Sequence, residues 1–228
     1  MANISLYGMD IFQAVCSGNV ARARELIGAG VNVDLKDSNG ETLLYLAVSN
    51  DRQDVVAMLI AHGANVNIPN NNDDNTPLHC AVARNAHVVD AHNLEIIRML
   101  IDAGANVNQR AGICGSPFHW AVLEGNKEIV SMLLAAHADI NLKDHNGLTP
   151  LCIATDKGYQ EIVELIHRFN AARSQAITQM EVLLGAAISS RLGIGSPAQL
   201  LFDMQTNGLA HRVGEWVLEA AKEAALEK

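Results

Sequence analysis

The chain is predicted to fold as an all-α repeat solenoid of about five helix-turn-helix units with β-turn tips, followed by a helical C-terminal extension. Three observations predict it. A turn phrase recurs as Gly30-Val31-Asn32-Val33-Asp34, Gly63-Ala64-Asn65-Val66-Asn67, Gly104-Ala105-Asn106-Val107-Asn108 and His137-Ala138-Asp139-Ile140-Asn141, with its first residues 33, 41 and 33 positions apart. A period near 33 residues marks stacked units that bury their apolar faces only against one another. After each turn come a polar tip and a short apolar run led by Thr or Ser. Hydrophobic residues make up 49% of the 228 while aromatics make up 4%, so the core must be built from small aliphatic side chains between closely packed helices.

The first unit, 1–37, lacks the Thr-Pro phrase but carries Ile11, Phe12, Ala14 and Val15, then Ala23, Leu26 and Ile27, the apolar set of an N-terminal capping unit. The second, 38–70, shows the local logic. Asp37-Ser38-Asn39-Gly40 reads as a tight turn with Gly40 free to adopt positive φ. Thr42 caps the short helix Leu43–Val48 by accepting from a free backbone N–H. Ser49 to Gln53 breaks it, and a second helix starts near Asp54 with Val55, Val56, Met58, Leu59 and Ile60 at helical spacing. His62-Gly63 ends that helix, glycine suiting the left-handed C-terminal position. The third unit (71–110), fourth (111–144) and fifth (145–175) repeat the order, their first helices opening Thr76-Pro77-Leu78-His79, Ser116-Pro117-Phe118-His119 and Thr149-Pro150-Leu151-Cys152. Proline fits the first helical turn, where no N–H is needed.

Turn, helix, loop and helix in this order, with Thr-Pro-Leu-His opening the first helix, resemble the ankyrin repeat over about 160 residues. The resemblance implies that the histidine ties neighbouring turns by hydrogen bonds; Tyr45 and Cys152 depart from it, so their units are expected to be tied less tightly by this bond. It also implies binding through turn tips and through the ends of the first helices. Carried over residue by residue, that selects Ser38, Asn39, Glu41, Ser49 and Asn50; Asn72, Asp73, Asn75, Ala83 and Arg84; Gly112, Ile113, Gly115, Leu123 and Glu124; and His145, Asn146, Leu148, Asp156 and Lys157. With Asp37, Asp74 and Asp144, this face is acidic and matches a partner segment bearing Lys or Arg.

The pattern breaks in three places. Thr42 to Gly63 spans 21 positions and Thr76 to Gly104 spans 28, which puts seven extra residues near 86–92 and an eighth in the tip. Lengthening a loop from roughly four to eleven residues costs only about 0.9 kcal/mol of closure entropy, so a tolerated loop, an extra helical turn and a partner contact all stay open. His87, Asp90 and His92 have metal-ligand chemistry, but two histidines and one carboxylate on a loop are a weak signal for a site. The tip Asn70-Asn71-Asn72-Asp73-Asp74-Asn75 reads equally as a local turn and as a row of acceptors. Trp120 replaces the Leu46, Cys80 or Ile153 of other units, either packed in the stack or with its ring partly exposed.

The fifth unit closes on Arg168-Phe169-Asn170-Ala171 instead of the turn phrase, and no sixth unit follows. Residues 176–228 are expected to be helical, in a run to Leu192, a break at Gly193-Ile194-Gly195, and later runs led by Ser196-Pro197 and ending at Lys228. They read either as a cap on the last unit or as a docking module for a second protein; they resemble a SOCS box only loosely, lacking its Leu-Pro-Leu-Pro stretch.

A net charge of −9 argues against non-specific nucleic-acid binding, which needs clustered Lys and Arg. No 18-residue apolar run and no secretory leader pattern is present. Cys16, Cys80, Cys114 and Cys152 follow the repeat spacing, which reads as a reducing, cytoplasmic setting; ankyrin-like effectors delivered by bacteria into a host cytosol fit it too. No phosphate-cradling loop or nucleophile elbow occurs. Cys80 and His119 are the one Cys–His pairing to weigh, and both occupy positions the repeat uses for structure. The expectation is a non-catalytic protein-binding module, in single copy, without cofactor or metal, or alternatively an adaptor whose tail recruits a second protein.

Overall fold

The computed structural model describes residues 4–84, 91–112 and 115–192, and the chain divides into two compact units, Met1–His167 and Arg168–Lys228. Among the described residues there are ten helices and no strand: α1 (Ile4–Ser17), α2 (Val20–Gly28), α3 (Leu43–Ser49), α4 (Gln53–Ala61), α5 (Pro77–Ala83), α6 (Ala91–Asp102), α7 (Pro117–Leu123), α8 (Lys127–Ala135), α9 (Pro150–Asp156) and α10 (Gln160–Leu192). They come in pairs, one pair for each expected unit.

The first helices of the pairs form one row, α1 on α3, α3 on α5, α5 on α7 and α7 on α9, and α2, α4 and α6 stack in a second row. Each first helix is only seven residues long from α3 onward, too short to persist alone in water. Packing sustains it: Leu43, Leu78, Ala81, Phe118, Ala121 and Ala154 are fully buried. Alanine at the fifth position after each cap (Ala47, Ala81, Ala121, Ala154) lets neighbouring first helices approach.

Caps are supplied locally. The Thr42 hydroxyl accepts from the Tyr45 N–H, and the Asn19 and Asn126 side chains accept from the Arg22 and Ile129 N–H groups of α2 and α8. The second helices end in left-handed residues, Gly63 at φ +82° and Gly104 at +87°, and His137 takes +63° where the repeat otherwise has glycine.

The insertion takes one of the forms left open above, and one boundary differs from the sequence reading. α6 has 12 residues against nine in α4 and α8; Ala91, His92 and Asn93 add a turn at its start, so part of the insertion is helix. The rest of it, with His87 and Asp90, lies outside the described residues. The boundary expected between 175 and 176 falls inside α10, because Arg168-Phe169-Asn170-Ala171 offers no glycine to take a left-handed stop and Ala-rich sequence follows. In the second unit, the described residues 168–192 are the later part of α10; the segment from Gly193 to Lys228 lies outside the described residues.

Candidate functional site

A ladder of Asn and Asp side chains holds the turns in register. Within each turn the third residue accepts from the backbone N–H two positions on: Asn32 from Asp34, Asn65 from Asn67, Asn106 from Asn108 and Asp139 from Asn141, at 2.9–3.0 Å. Between units the last residue accepts from the next turn: Asp34 from Asn65 N–H at 2.8 Å, Asn67 from Asn106 N–H at 2.7 Å, and Asn108 from Asp139 N–H at 2.8 Å. Asn141 stands at the same place in the last turn and is exposed.

The histidines tie tip to helix. The Thr76 N–H can only donate, so His79 Nδ1 accepts from it (3.2 Å) and from the Thr76 hydroxyl (2.8 Å). The ring proton therefore sits on Nε2, which donates to the Gly115 carbonyl of the next tip at 3.3 Å. Burial drives His79 down to about 4, so the ring is neutral. His119 repeats the cap with Ser116, and burial lowers its pKa also. Its Nε2 is buried without an acceptor at hydrogen-bond geometry, although the Leu148 and Leu142 carbonyls lie beside it. Gly115 must be glycine: at φ +83°, an added Cβ would stand 3.1 Å from His119 Nδ1 and 3.2 Å from Asp144 Cβ.

Tyr45, which departs from the histidine position, lies against the Cys80 thiol of the following unit, and burial pushes both groups up. The second and third tips are joined instead by Lys36 Nζ donating to the Pro69 carbonyl at 2.9 Å and by Asn71 N–H donating to the Asn39 carbonyl at 3.3 Å.

The tips display some of the expected contact residues and engage others. Ser38, Asn39, Asn72, Asp73, Asp74, His145, Asn146, Asp156 and Lys157 are exposed. Asp37 and Asp144 belong to the scaffold: each Oδ1 accepts two backbone N–H groups, from Asn39 and Glu41 at 2.9 Å and from Asn146 and Leu148 at 2.8 Å. Asn70 does the same in the third tip, accepting from Asn75 N–H at 3.0 Å while only 5% exposed. That divides the Asn/Asp-rich tip, with Asn70 turned in and Asn71 to Asp74 turned out. Glu41 and Asn75 are half-buried. Asn50 is exposed, and its amide caps α3 by donating to the Leu46 carbonyl. Arg84 pairs with Asp51 at 2.6 Å and donates to the Ser49 carbonyl, bridging two units. Glu124 is half-buried, and Trp120 is half-buried with its Nε1 sealed from solvent. Ile113 lies outside the described residues.

A cleft of about 480 Å³ opens between the fourth and fifth units. Leu123, Leu148 and Ile153 supply apolar lining, and Asp144, Asn146, Asp156 and Lys157 supply polar lining, with His119 and Cys152 also at its surface. Leu148 is 43% exposed, the one exposed large hydrophobic residue among those described. Asn146, Leu148, Asp156 and Lys157 were all expected contact positions, and the structure brings them together. The cleft itself was not foreseen; its trace in the sequence is two substitutions, Leu123 where other units have Ser49, Ala83 and Asp156, and Leu148 where they have Glu41, Asn75 and Gly115.

The chemistry of a cysteine nucleophile is not set up at Cys80. Burial pushes its thiol up to about 11, whereas a reactive cysteine needs a thiolate at neutral pH. Among the described residues no group of three or more His, Cys, Asp or Glu is placed to hold a metal, and no helix is long and apolar enough to cross a membrane.

A family model for ankyrin repeats, in three copies, matches residues 11–111 and 88–176. Palmitoyltransferase Hip14 of Drosophila melanogaster is 36% identical over 99 residues, covering 43% of this chain and 14% of that protein. An ankyrin repeat protein of Fowlpox virus is 30% identical over 141 residues, covering 51% of this chain and 19% of its own length. Another from the same virus is 48% identical over 71 residues, 31% of this chain and 19% of that protein. The chain thus spans less than a fifth of the length of each of these curated relatives.

Proposed function

Because the chain belongs to the ankyrin-repeat family, a family of protein-interaction modules, we propose that it is a non-catalytic binding module whose turn tips and first-helix ends hold a partner segment bearing Lys or Arg. One observation carries this reading: equivalent positions agree where the stack is packed and differ where it is exposed. The packed fifth position after the cap is Ala47, Ala81, Ala121 and Ala154, whereas the eighth, exposed or half-buried in every unit, is Asn50, Arg84, Glu124 and Lys157. Scaffold is repeated and the rim is individual, as a surface shaped for one partner requires. Asp73, Asp74 and Asp156 point outward without structural duties that rival those of Asp37 and Asp144, which supports a basic partner and electrostatic steering of the encounter.

The test is capture of partner protein from lysate by the wild type and by the Asp73→Lys, Asp74→Lys, Glu124→Lys variant, with circular dichroism to show an intact stack. Loss of a specifically captured protein is expected; unchanged capture sinks the acidic-face reading.

A second reading, an adaptor, is favoured by the separate compact unit Arg168–Lys228. Removing residues 193–228 should then abolish recruitment of a second protein and leave the melting of the stack unchanged. A fall in stack stability on the same deletion identifies the segment as a cap.

A further inference from the structure

We infer that the cleft between the fourth and fifth units receives one long cationic side chain, a lysine or an arginine, of the partner segment. The inference rests on the binding reading above and assigns its basic contact to one place.

The cleft follows from departures of the fourth and fifth units from the repeat. In the third unit, the third residue after the cap is His79, and the next tip covers it through Gly115. In the fifth unit that residue is Cys152, smaller and exposed. At the equivalent places other units carry small or polar side chains, Ser49 and Ala83 for Leu123, and Glu41 and Asn75 for Leu148. Leu123 and Leu148 make the walls aliphatic instead, joined by Ile153.

Charge decides which side chain fits. Asp144 and Asp156 line the cleft against one cation, Lys157. Asp144 Oδ1 is engaged by two backbone N–H groups, but Oδ2 has only a 3.5 Å contact with the Asn146 amide. A carboxylate entering here would face both aspartates, and a purely aliphatic chain would bury their approach without compensation. A Lys or Arg lays its methylene stem along Leu148 and keeps its charged head at the carboxylates. Lys157 opposes the incoming charge, so it weakens the contact and its neutralisation must strengthen it.

Cys152 provides a built-in reporter. The exchange Cys152–SH + R–S–S–R → Cys152–S–S–R + R–SH is run on the full chain with four symmetrical disulfides, whose R groups are aminohexyl, aminoethyl, propyl and carboxyethyl. A reducing thiol competes, intact mass reads the adduct, and peptide mapping assigns it; Cys152→Ser must lose it. The expected order of retention is aminohexyl, aminoethyl, propyl, carboxyethyl, with cation over anion by about two- to fivefold, the range of an exposed ion pair. Asp156→Asn should collapse the preference for cation over anion. Leu148→Ser should remove the preference for the longer amine and keep that for positive charge, while Lys157→Gln should widen the cation preference. Equal retention of amine and carboxylate, or a cation preference that survives Asp156→Asn, overturns the inference. Because no partner is needed, that failure is separable from failure of the binding reading, which the triple lysine variant tests.

Discussion

Lowering the pH from about 7 to about 5 should cost the folded stack about 2 kcal/mol through His79 alone. The ring is 1% exposed, its Nδ1 already accepts from the Thr76 N–H and hydroxyl, and its pKa is lowered to about 4 against an ordinary 6.5. A proton added at Nδ1 would remove the acceptor of the α5 cap and bury a charge. Between those two pKa values the unfolded chain binds a proton that the folded chain does not. The stabilisation is thus complete above the unfolded value and is lost as pH falls from about 6.5 to about 4. The linkage integral gives about 2 kcal/mol lost at pH 5, little of it already gone at pH 7, and about 3 kcal/mol at still lower pH. Urea unfolding of wild type and His79→Gln at both pH values isolates the contribution, because Gln supplies a donor and an acceptor but takes no proton. The pH-dependent loss should be about 2 kcal/mol smaller in the variant. Identical pH dependence in the two proteins, or a His79 ring titrating near its ordinary value by NMR, would refute the reasoning.

Gly115→Ala should destabilise by about 1–2 kcal/mol, the cost of a left-handed non-glycine residue, with any shift of the buried His119 ring added to it; thermal melting measures it, and an unchanged melting temperature contradicts the tip geometry. Asn67→Ala removes an inter-unit acceptor and a donor to the Gly104 carbonyl and should cost about 1–2 kcal/mol. Asn141→Ala, at the equivalent place in the last turn, should change stability by less than about 0.5 kcal/mol in the same unfolding assay; equal losses would show that the ladder is not what joins the units.

Much of the fold was legible because the repeat states each local rule several times. Thr42, Thr76, Ser116 and Thr149 announce helix starts, and Gly63 and Gly104 announce helix ends, through interactions that reach no further than one turn of chain. The tips were less legible. Asp37, Asp73, Asp74 and Asp144 are alike as letters, yet Asp37 and Asp144 bind backbone N–H groups while Asp73 and Asp74 face outward. Arg84 reads as a free contact until the chain brings Asp51 to it. The end of the fifth unit also escaped: the loss of a turn glycine was visible, but not that α10 continues through it.

The period, the helix caps and the helix-ending turns follow from the sequence, since they depend on local dihedral preferences and on apolar spacing repeated along the chain. Which exposed residues share a site is a matter of contacts between units 33 or more positions apart. The cleft was decided there, where Leu123 from one unit lines the same space as Leu148, Cys152 and Asp156 from the next.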